Sequence, residues 1–206
     1  MKHCLTARLI SLLLFPLFSL SNAASFAQPA PVLGQPGKDV VWIPSPNDMV
    51  EKMLDMAKVT PDDLVVDLGS GDGRNVIAAA KRGARALGVE YDPGLVEVSR
   101  RNAAAAGVAD RVTIVQGDMF EADISKASVL ILFLIPDNLR KLAPKFRGLA
   151  PGTRIVSHAF DMDEWKADRT ETVEGKTVYF WLVPLGVLLH ISSFACFSQE
   201  NNALRL

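Results

Sequence analysis

The chain has 206 residues, of which 49% are apolar and 22% charged, and 22 Lys and Arg stand against 23 Asp and Glu for a formal net charge of −1. This composition excludes a disordered or collagen-like protein, and the balanced charge gives no electrostatic reason to expect a nucleic acid as partner. The length predicts one globular domain. The two cysteines, Cys4 and Cys196, cannot build a disulfide framework or a cysteine-based metal site, so no metal is expected.

The first 27 residues have the layout of a secretory signal peptide. Lys2 and Arg8 precede an apolar run over residues 9–20, and small residues follow that run. The run is shorter than the roughly 20 residues that a membrane-spanning helix needs. We therefore expect export to the periplasm or envelope, with a retained membrane anchor as the alternative, and a linker over residues 28–38.

Between about residues 39 and 184, short apolar runs alternate with helical patterns, which is typical of a parallel sheet with helices on both faces. Runs that are apolar throughout predict strands buried on both sides. The predicted strands cover residues 64–68, 85–90, 112–115, 129–135 and 153–157. The predicted helices lie from Ser45 onward and over residues 75–82, 95–106 and 137–149, the last interrupted by Pro144.

Capping signals support three of these helices. Ser45 is expected to cap the first helix, with Pro46 in its first turn. Gly83 and Gly107 stand where the next two helices need a left-handed residue after their last turn.

The C-terminal part of the pattern changes from parallel to antiparallel. Glu174-Gly175-Lys176 predicts a tight hairpin between strands over residues 170–173 and 177–183. The domain over residues 39–184 is thus an α/β domain whose sheet ends in an antiparallel pair. The tail over residues 185–206 has no readable role, and a packed terminal strand is the simplest expectation.

A glycine-rich loop follows the first predicted strand. Gly69, Gly71 and Gly73 let the backbone pass close under a bound molecule. Arg74 stands where a dinucleotide-binding fingerprint needs its third glycine, which disfavours a dinucleotide. The acid Asp67 is awkward beside a pyrophosphate but suits a ligand that carries a cationic amine.

Acids also stand at the ends of the next two predicted strands. Glu90 is placed to accept hydrogen bonds from ribose hydroxyls. Asp118 is placed to accept from an exocyclic amine, while neighbours such as Met119 can cover the face of an adenine. Because ligands of such sheets bind at the carboxyl ends of the strands, these residues predict one nucleoside site.

These residues resemble those of the class I S-adenosylmethionine-dependent methyltransferases. Residues 67–73 look like their first motif, Glu90 like their ribose acid and Gly117-Asp118 like their adenine-side motif. Over about residues 41–183 the chain is more closely similar to the seven-strand lysine methyltransferases of the ATP-synthase c-subunit and the adenine nucleotide translocase, with their bacterial relatives. The shared features include residues 42–46, 71–74 with 78–81, 133–136 and Glu174-Gly175.

The resemblance implies a Rossmann-like, doubly wound seven-stranded sheet of order 3-2-1-4-5-7-6, with S-adenosylmethionine as methyl donor. It implies lysine side chains of membrane-embedded proteins as acceptors. The cofactor-binding residues that it implies are Asp67, Gly69, Ser70, Gly71, Gly73, Glu90, Tyr91, Asp118 and Met119. The tail and the export signal depart from the family pattern and leave location and substrate open.

The sequence identifies no clear catalytic base for a lysine acceptor, which must lose its proton before it can attack. The weak candidates are Asp137 and His158, which follow the fourth and fifth predicted strands. Trp42, Pro44 and Pro136 are the substrate-side candidates. Residues 42–44 are placed either to form an apolar lid over the cofactor or to pack in the core.

Three functions remain open at this level: a protein-lysine methyltransferase, a small-molecule methyltransferase, and a non-catalytic module that binds S-adenosylmethionine. Residues 134–137 lack the Asn/Asp-Pro-Pro-aromatic motif of amide and nucleobase methyltransferases, which argues against a nucleic-acid substrate. The predicted export conflicts with a cofactor that is made in the cytoplasm. The oligomeric state is not predictable from the sequence.

Overall fold

The fold is known from a computed structural model that describes residues 32–38 and 41–185. The predicted signal or anchor segment, both cysteines and the tail beyond Leu185 lie outside the described residues. Within the described ranges, none of the helices combines the length and the apolarity that crossing a bilayer would require.

Seven strands form one sheet in the order β3-β2-β1-β4-β5-β7-β6. The strands are β1 (Leu64–Leu68), β2 (Arg85–Glu90), β3 (Val112–Gln116), β4 (Val129–Leu132), β5 (Arg154–His158), β6 (Arg169–Val173) and β7 (Lys176–Leu182). The first five strands run parallel, and β7 is antiparallel to both β5 and β6. The predicted strand order and the antiparallel last pair are thereby confirmed.

Four helices in the described ranges cover the two faces of the sheet. They are α1 (Asn47–Met56), α2 (Arg74–Lys81), α3 (Pro93–Ala105) and α4 (Pro136–Arg147). Side chains alternate along β4, so that Leu130 and Leu132 pack in one apolar cluster with Phe146 of α4. Val129 and Ile131 pack in the other cluster, together with residues of α1, α2 and α3. The continuous apolar run of β4 therefore reflects burial on both faces.

Several local features differ from the sequence expectation. β4 ends at Leu132 and not at residue 135, because Pro136 opens α4 and holds the preceding Ile135 in an extended conformation. Pro144 lies inside α4, which continues to Arg147. Ser45 does not cap α1: the N-cap position is Pro46, and no side chain caps this helix.

Three predicted turns have the expected conformation. Gly83 and Gly107 follow α2 and α3 with φ of +93° and +71°, in the left-handed region. Glu174 and Gly175 join β6 to β7 with positive φ at both positions, which is the turn that matches the twist of a two-residue hairpin.

Gly73 is required where the glycine-rich loop enters α2. Its φ is +81°, and a Cβ there would lie 2.0 Å from Ser99 Oγ and 3.4 Å from Ser99 Cα. We expect Gly73→Ala to lower the free energy of unfolding by about 3 kcal/mol, from left-handed strain together with overpacking. Chemical denaturation measures this change.

Gly107→Ala is the matched control. Gly107 also has a left-handed φ, but a Cβ there would meet nothing within 4 Å. This variant is expected to lose only the strain, about 1–2 kcal/mol. Equal losses in the two variants would show that the close approach of Gly73 to α3 does not matter for stability.

Candidate functional site

The carboxyl ends of β1, β2, β3 and β4 converge on one cavity. It lies where the strand order reverses beside β1, the position at which open α/β sheets bind ligands. Its empty volume is about 730 Å³, including the part open to solvent. The residues that line it include Gln35, Lys38, Trp42, Ile43, Gly69, Glu90, Tyr91, Asp92, Leu95, Asp118, Met119, Phe133 and Leu134.

The glycine-rich loop is held against the end of β2. The backbone N–H groups of Gly69 and Ser70 donate to the carbonyl of Val89, at 2.9 and 3.0 Å. Gly71 has φ of +57°, and a Cβ there would lie 2.5 Å from Trp42 Nε1. The indole of Trp42 thus packs directly on the loop, and only glycine leaves it the room.

Glu90 holds the loop with its carboxylate. Its Oε2 accepts from the N–H of Gly71 at 2.8 Å, and its Oε1 accepts from the N–H of Asp92 at 2.9 Å. A carboxylate has about four lone-pair sites, so each oxygen can accept one further hydrogen bond. Glu90 can therefore hold the loop and bind two ribose hydroxyls at the same time. The sequence predicted that Glu90 binds the ribose, but it did not predict the hydrogen bond between Glu90 and the glycine-rich loop.

Asp67 is buried at the end of β1, with only 1% of its surface exposed. Its Oδ2 accepts a hydrogen bond from Asn75 Nδ2 of α2 at 3.1 Å. The pKa of Asp67 is raised to about 7, mainly by burial and also by the neighbouring carboxylates of Glu90 and Asp72, against the lowering effect of the Asn75 hydrogen bond. At neutral pH this carboxyl is therefore poised between its neutral and charged forms.

Asp118 and Tyr91 lie together at the β2 and β3 side of the cavity. Asp118 Oδ1 accepts from the N–H of Phe120 at 2.9 Å, and Oδ2 forms an ion pair with Lys38. The Lys38 ammonium is the main cause of the lowered pKa of Asp118. Tyr91 is half-exposed, and its ring centroid is 5.1 Å from Lys38 Nζ.

The structure brings part of the predicted site together in the lining of the cavity and leaves the other predicted residues out of that lining. Six of the predicted residues line the cavity, namely Trp42, Gly69, Glu90, Tyr91, Asp118 and Met119. Asp67, Ser70, Gly71 and Gly73 belong to the loop or its support and are not among the lining residues. Pro44 and Pro136 are likewise not among the lining residues.

The two candidate bases lie outside the cavity lining. Asp137 is exposed and forms an ion pair with Arg140 on the surface of α4. His158 is only 3% exposed, and burial lowers its pKa to about 4, with a further effect of Lys176. A neutral imidazole with this pKa is a weak base toward a lysine ammonium, whose ordinary pKa is about 10.

Residues 133–134, which follow β4, line one side of the cavity, called here the β4 wall. Beside it lies an aromatic cluster made of Phe133, His158 and Phe160. The His158 ring stacks on Phe133 with centroids 4.0 Å apart, and Phe133 stacks on Phe160 at 6.3 Å. His158 Nδ1 lies 3.0 Å from the hydroxyl of Ser45, which explains why Ser45 does not cap α1. Ala159 follows with a left-handed φ of +66°, a costly conformation that is enriched at functional sites.

Residues 34–36 pair antiparallel with residues 41–42, and this N-terminal hairpin forms a further wall that the sequence did not predict. Gly34 N–H donates to the carbonyl of Trp42 at 3.0 Å, and Trp42 N–H donates to that of Gln35 at 3.1 Å. Gln35 Nε2 in turn donates to Asp92 Oδ2 at 3.1 Å. The described part of the predicted linker, residues 32–38, therefore reaches the cavity. The available signal was Pro36-Gly37 just before the apolar stretch over residues 40–43.

Comparison with known proteins gives a consistent result. The ANTKMT methyltransferase domain matches residues 67–169. A protein-lysine N-methyltransferase of Saccharolobus islandicus is 40% identical over 151 residues, 70% of this chain and 94% of that protein. The lysine N-methyltransferase of the ATP synthase c-subunit from Mus musculus is 36% identical over 135 residues, 65% of this chain but 54% of that protein.

A solved structure is also similar. It is a crystal structure of an RNA methyltransferase from Salinibacter ruber in complex with S-adenosyl-L-homocysteine. Its TM-score is 0.68 and its identity 53%, over 69% of this chain and 94% of that chain.

The fold, the cavity and these similarities define an S-adenosylmethionine-dependent methyltransferase. The chain belongs to the ANTKMT methyltransferase domain family.

S-adenosylmethionine fits the residues of the cavity. Glu90 has acceptor capacity left for hydroxyls, Asp118 is an acceptor for an amine, and Leu95 and Met119 supply apolar surface. The acids of the lining suit a ligand that carries a positive charge. When bound, this cofactor supplies a sulfonium methyl group for an in-line displacement. In the part of the chain described, no cluster of three or more His, Cys, Asp or Glu side chains is arranged to hold a metal ion.

Proposed function

We propose that this enzyme transfers the methyl group to the side-chain amine of a lysine in a protein substrate. The observation that carries the proposal is the 40% identity to a relative named a protein-lysine N-methyltransferase, across 94% of that relative's length. The mouse relative, which is also named a lysine N-methyltransferase, supports it over a shorter part of its own length.

The acceptor is proposed to approach the β4 wall of the cavity. The polar residues suited to a nucleoside, Glu90 and Asp118, lie at the ends of β2 and β3, whereas the segment that follows β4 presents Phe133 and Leu134. Apolar surroundings disfavour the ammonium form of lysine and so promote the neutral amine that attacks. An in-line displacement needs the donor and the acceptor to be aligned and water to be excluded. The stacked aromatic cluster provides a rigid apolar surface that can do both.

We also propose that the acceptor is a protein of the membrane or cell envelope. The support is the predicted signal or anchor segment over residues 1–27, which would bring the domain to that location. Fractionation of cells that produce the full chain, followed by determination of its N-terminal residue, tests both the location and the cleavage.

RNA is the second candidate acceptor, favoured by the 53% identity to the Salinibacter ruber structure. An RNA site normally needs several cations for the phosphates. Among the described residues that line the cavity, Lys38 is the single cation, against the acids Glu90, Asp92 and Asp118. The local charge therefore favours a protein acceptor over RNA.

The test is transfer of label from methyl-labelled S-adenosylmethionine to a membrane fraction, a soluble protein fraction and purified RNA. We expect label in membrane or envelope protein, recovered as methylated lysine after acid hydrolysis, and no transfer by Glu90→Ala. Label in the nucleosides of digested RNA would establish the second candidate. Label confined to small molecules would overturn both.

Phe133→Leu is expected to lower the rate of lysine methylation roughly tenfold, because a small misplacement of the acceptor is enough to slow the transfer. Binding of the cofactor should change less than about twofold, since leucine preserves most of the apolar surface. Phe180→Leu, on β7 and outside the lining, is the matched control. Steady-state kinetics beside calorimetry separate the two effects, and an unchanged rate would exclude Phe133 from the acceptor side.

A further inference from the structure

Lys38 occupies the part of the cavity that is suited to an adenine. Its ammonium forms an ion pair with Asp118 Oδ2 and lies 5.1 Å from the ring centroid of Tyr91. Asp118 is the acceptor suited to an exocyclic amine, and Tyr91 offers a half-exposed aromatic face for stacking. At the carboxylate, the ammonium takes the place that the amino group of an adenine would take. At the Tyr91 ring, it takes the place of the stacked face of the base.

We propose that Lys38 is an affinity-determining residue of the cofactor site, whose ammonium holds the adenine subsite and is displaced by the adenine of the entering cofactor. Asp118 Oδ1 accepts from the N–H of Phe120 and Oδ2 accepts from the Lys38 ammonium, so an entering amine that binds Oδ2 competes with Lys38. The proposal rests on the cofactor and not on the identity of the methyl acceptor.

Lys38 can leave this position without the N-terminal hairpin moving away. The hairpin is fixed by the Gly34 and Trp42 backbone bonds, by the Gln35–Asp92 hydrogen bond and by the packing of Trp42 on the glycine-rich loop. A lysine side chain has a flexible chain of four carbons, and its ammonium can pair with an acid in many orientations. When the cofactor displaces the Lys38 ammonium, only the contacts of the Lys38 side chain are lost, and the hairpin stays in place as a wall of the cavity.

The effect of Lys38 on cofactor affinity can be estimated from the exposure of the Lys38–Asp118 ion pair. The Lys38 side chain is 38% exposed and that of Asp118 is 19% exposed, so solvent screens their attraction. Exposed pairs of this kind change an equilibrium by about two- to fivefold. Lys38 is thus expected to weaken cofactor binding by that factor.

The test is calorimetric titration of S-adenosylhomocysteine into the full chain, the Lys38→Ala variant and a control. S-adenosylhomocysteine has the same adenosine but no sulfonium charge, so the general effect of removing a cation is minimised. Lys38→Ala should tighten binding about two- to fivefold. Lys52→Ala is the control: Lys52 also pairs with an acid, Glu171, but does not line the cavity, so binding should be unchanged.

A double substitution shows whether Lys38 acts through Asp118. Asp118→Asn should weaken binding, and Lys38→Ala added to it should give less than half of the gain seen in the wild-type background. Unchanged or weaker binding by Lys38→Ala alone would overturn the proposal, and weaker binding would make Lys38 a direct contact of the bound cofactor. Because the readout is binding, the result holds whether lysine or another group accepts the methyl.

Discussion

Glu90→Ala is expected to weaken the binding of S-adenosylmethionine by about 100-fold or more. The substitution removes the carboxylate that accepts from the N–H groups of Gly71 and Asp92, at 2.8 and 2.9 Å. It also removes the acceptors proposed for the ribose hydroxyls. Hydrogen bonds to a charged group contribute about 1.5–3 kcal/mol each, so loss of two with the ligand alone gives this factor.

Calorimetry on Glu90→Ala, Glu90→Gln and Glu97→Ala separates the two functions of the side chain. Glutamine keeps one acceptor oxygen but places an NH2 group against either Gly71 or Asp92, so we expect an intermediate loss of about tenfold. Glu97 is an exposed residue of α3 that pairs with Arg100, and its removal should leave binding unchanged. Wild-type affinity in Glu90→Gln would show that neither the loop nor the ribose needs the carboxylate.

Most of the sheet could be predicted because buried parallel strands have an unmistakable local pattern. β1 and β2 have the bounds that the apolar runs predicted, and the hairpin turn at Glu174-Gly175 was visible in two residues. The strand order came from the resemblance to known methyltransferases, since the periodicity of the residues does not encode which strands pair. The predicted end of β4 was wrong because Pro136 begins a helix. The predicted cap at Ser45 was wrong because its hydroxyl pairs with His158, which is 113 residues away in the chain.

The position of the site was predictable for a geometric reason. Parallel strands place all their carboxyl ends at one edge, so acids at the ends of β1, β2 and β3 had to lie near one another. The N-terminal hairpin was not predictable from composition, because residues 27–37 are rich in proline, glycine and alanine, which favours a linker. Its contacts, Gln35 with Asp92 and Lys38 with Asp118, join residues far apart in the chain.

Asp67→Asn is expected to stabilise the enzyme at pH 8 by as much as about 4 kcal/mol and to have little effect near pH 4. The pKa of Asp67 is about 7 in the folded chain, against an ordinary value of 3.8. Between these values the folded chain holds a proton that the unfolded chain has lost, so the free energy of unfolding falls as the pH rises from about 4 to about 7. A difference of about three pKa units corresponds to about 4 kcal/mol.

Urea denaturation at several pH values measures the difference between wild type and variant. Asparagine keeps an oxygen that can accept from Asn75 but carries no charge, so the variant isolates the cost of burying the carboxylate. Asp62→Asn is the control, because Asp62 is an exposed residue close by in the chain. A stability gain that is equal at pH 4 and pH 8 would show that charge burial is not the cause.

The same carboxyl is expected to link cofactor binding to the release of a proton. The positive sulfonium of S-adenosylmethionine favours the ionised form of Asp67, so near pH 7 binding should release a proton and become tighter as the pH rises from about 6 to 8. The calorimetric heat should then depend on the ionisation enthalpy of the buffer in the wild type and less so in Asp67→Asn. Equal buffer dependence in the two proteins would assign the released proton to another group and leave Asp67 as a purely structural support of the loop.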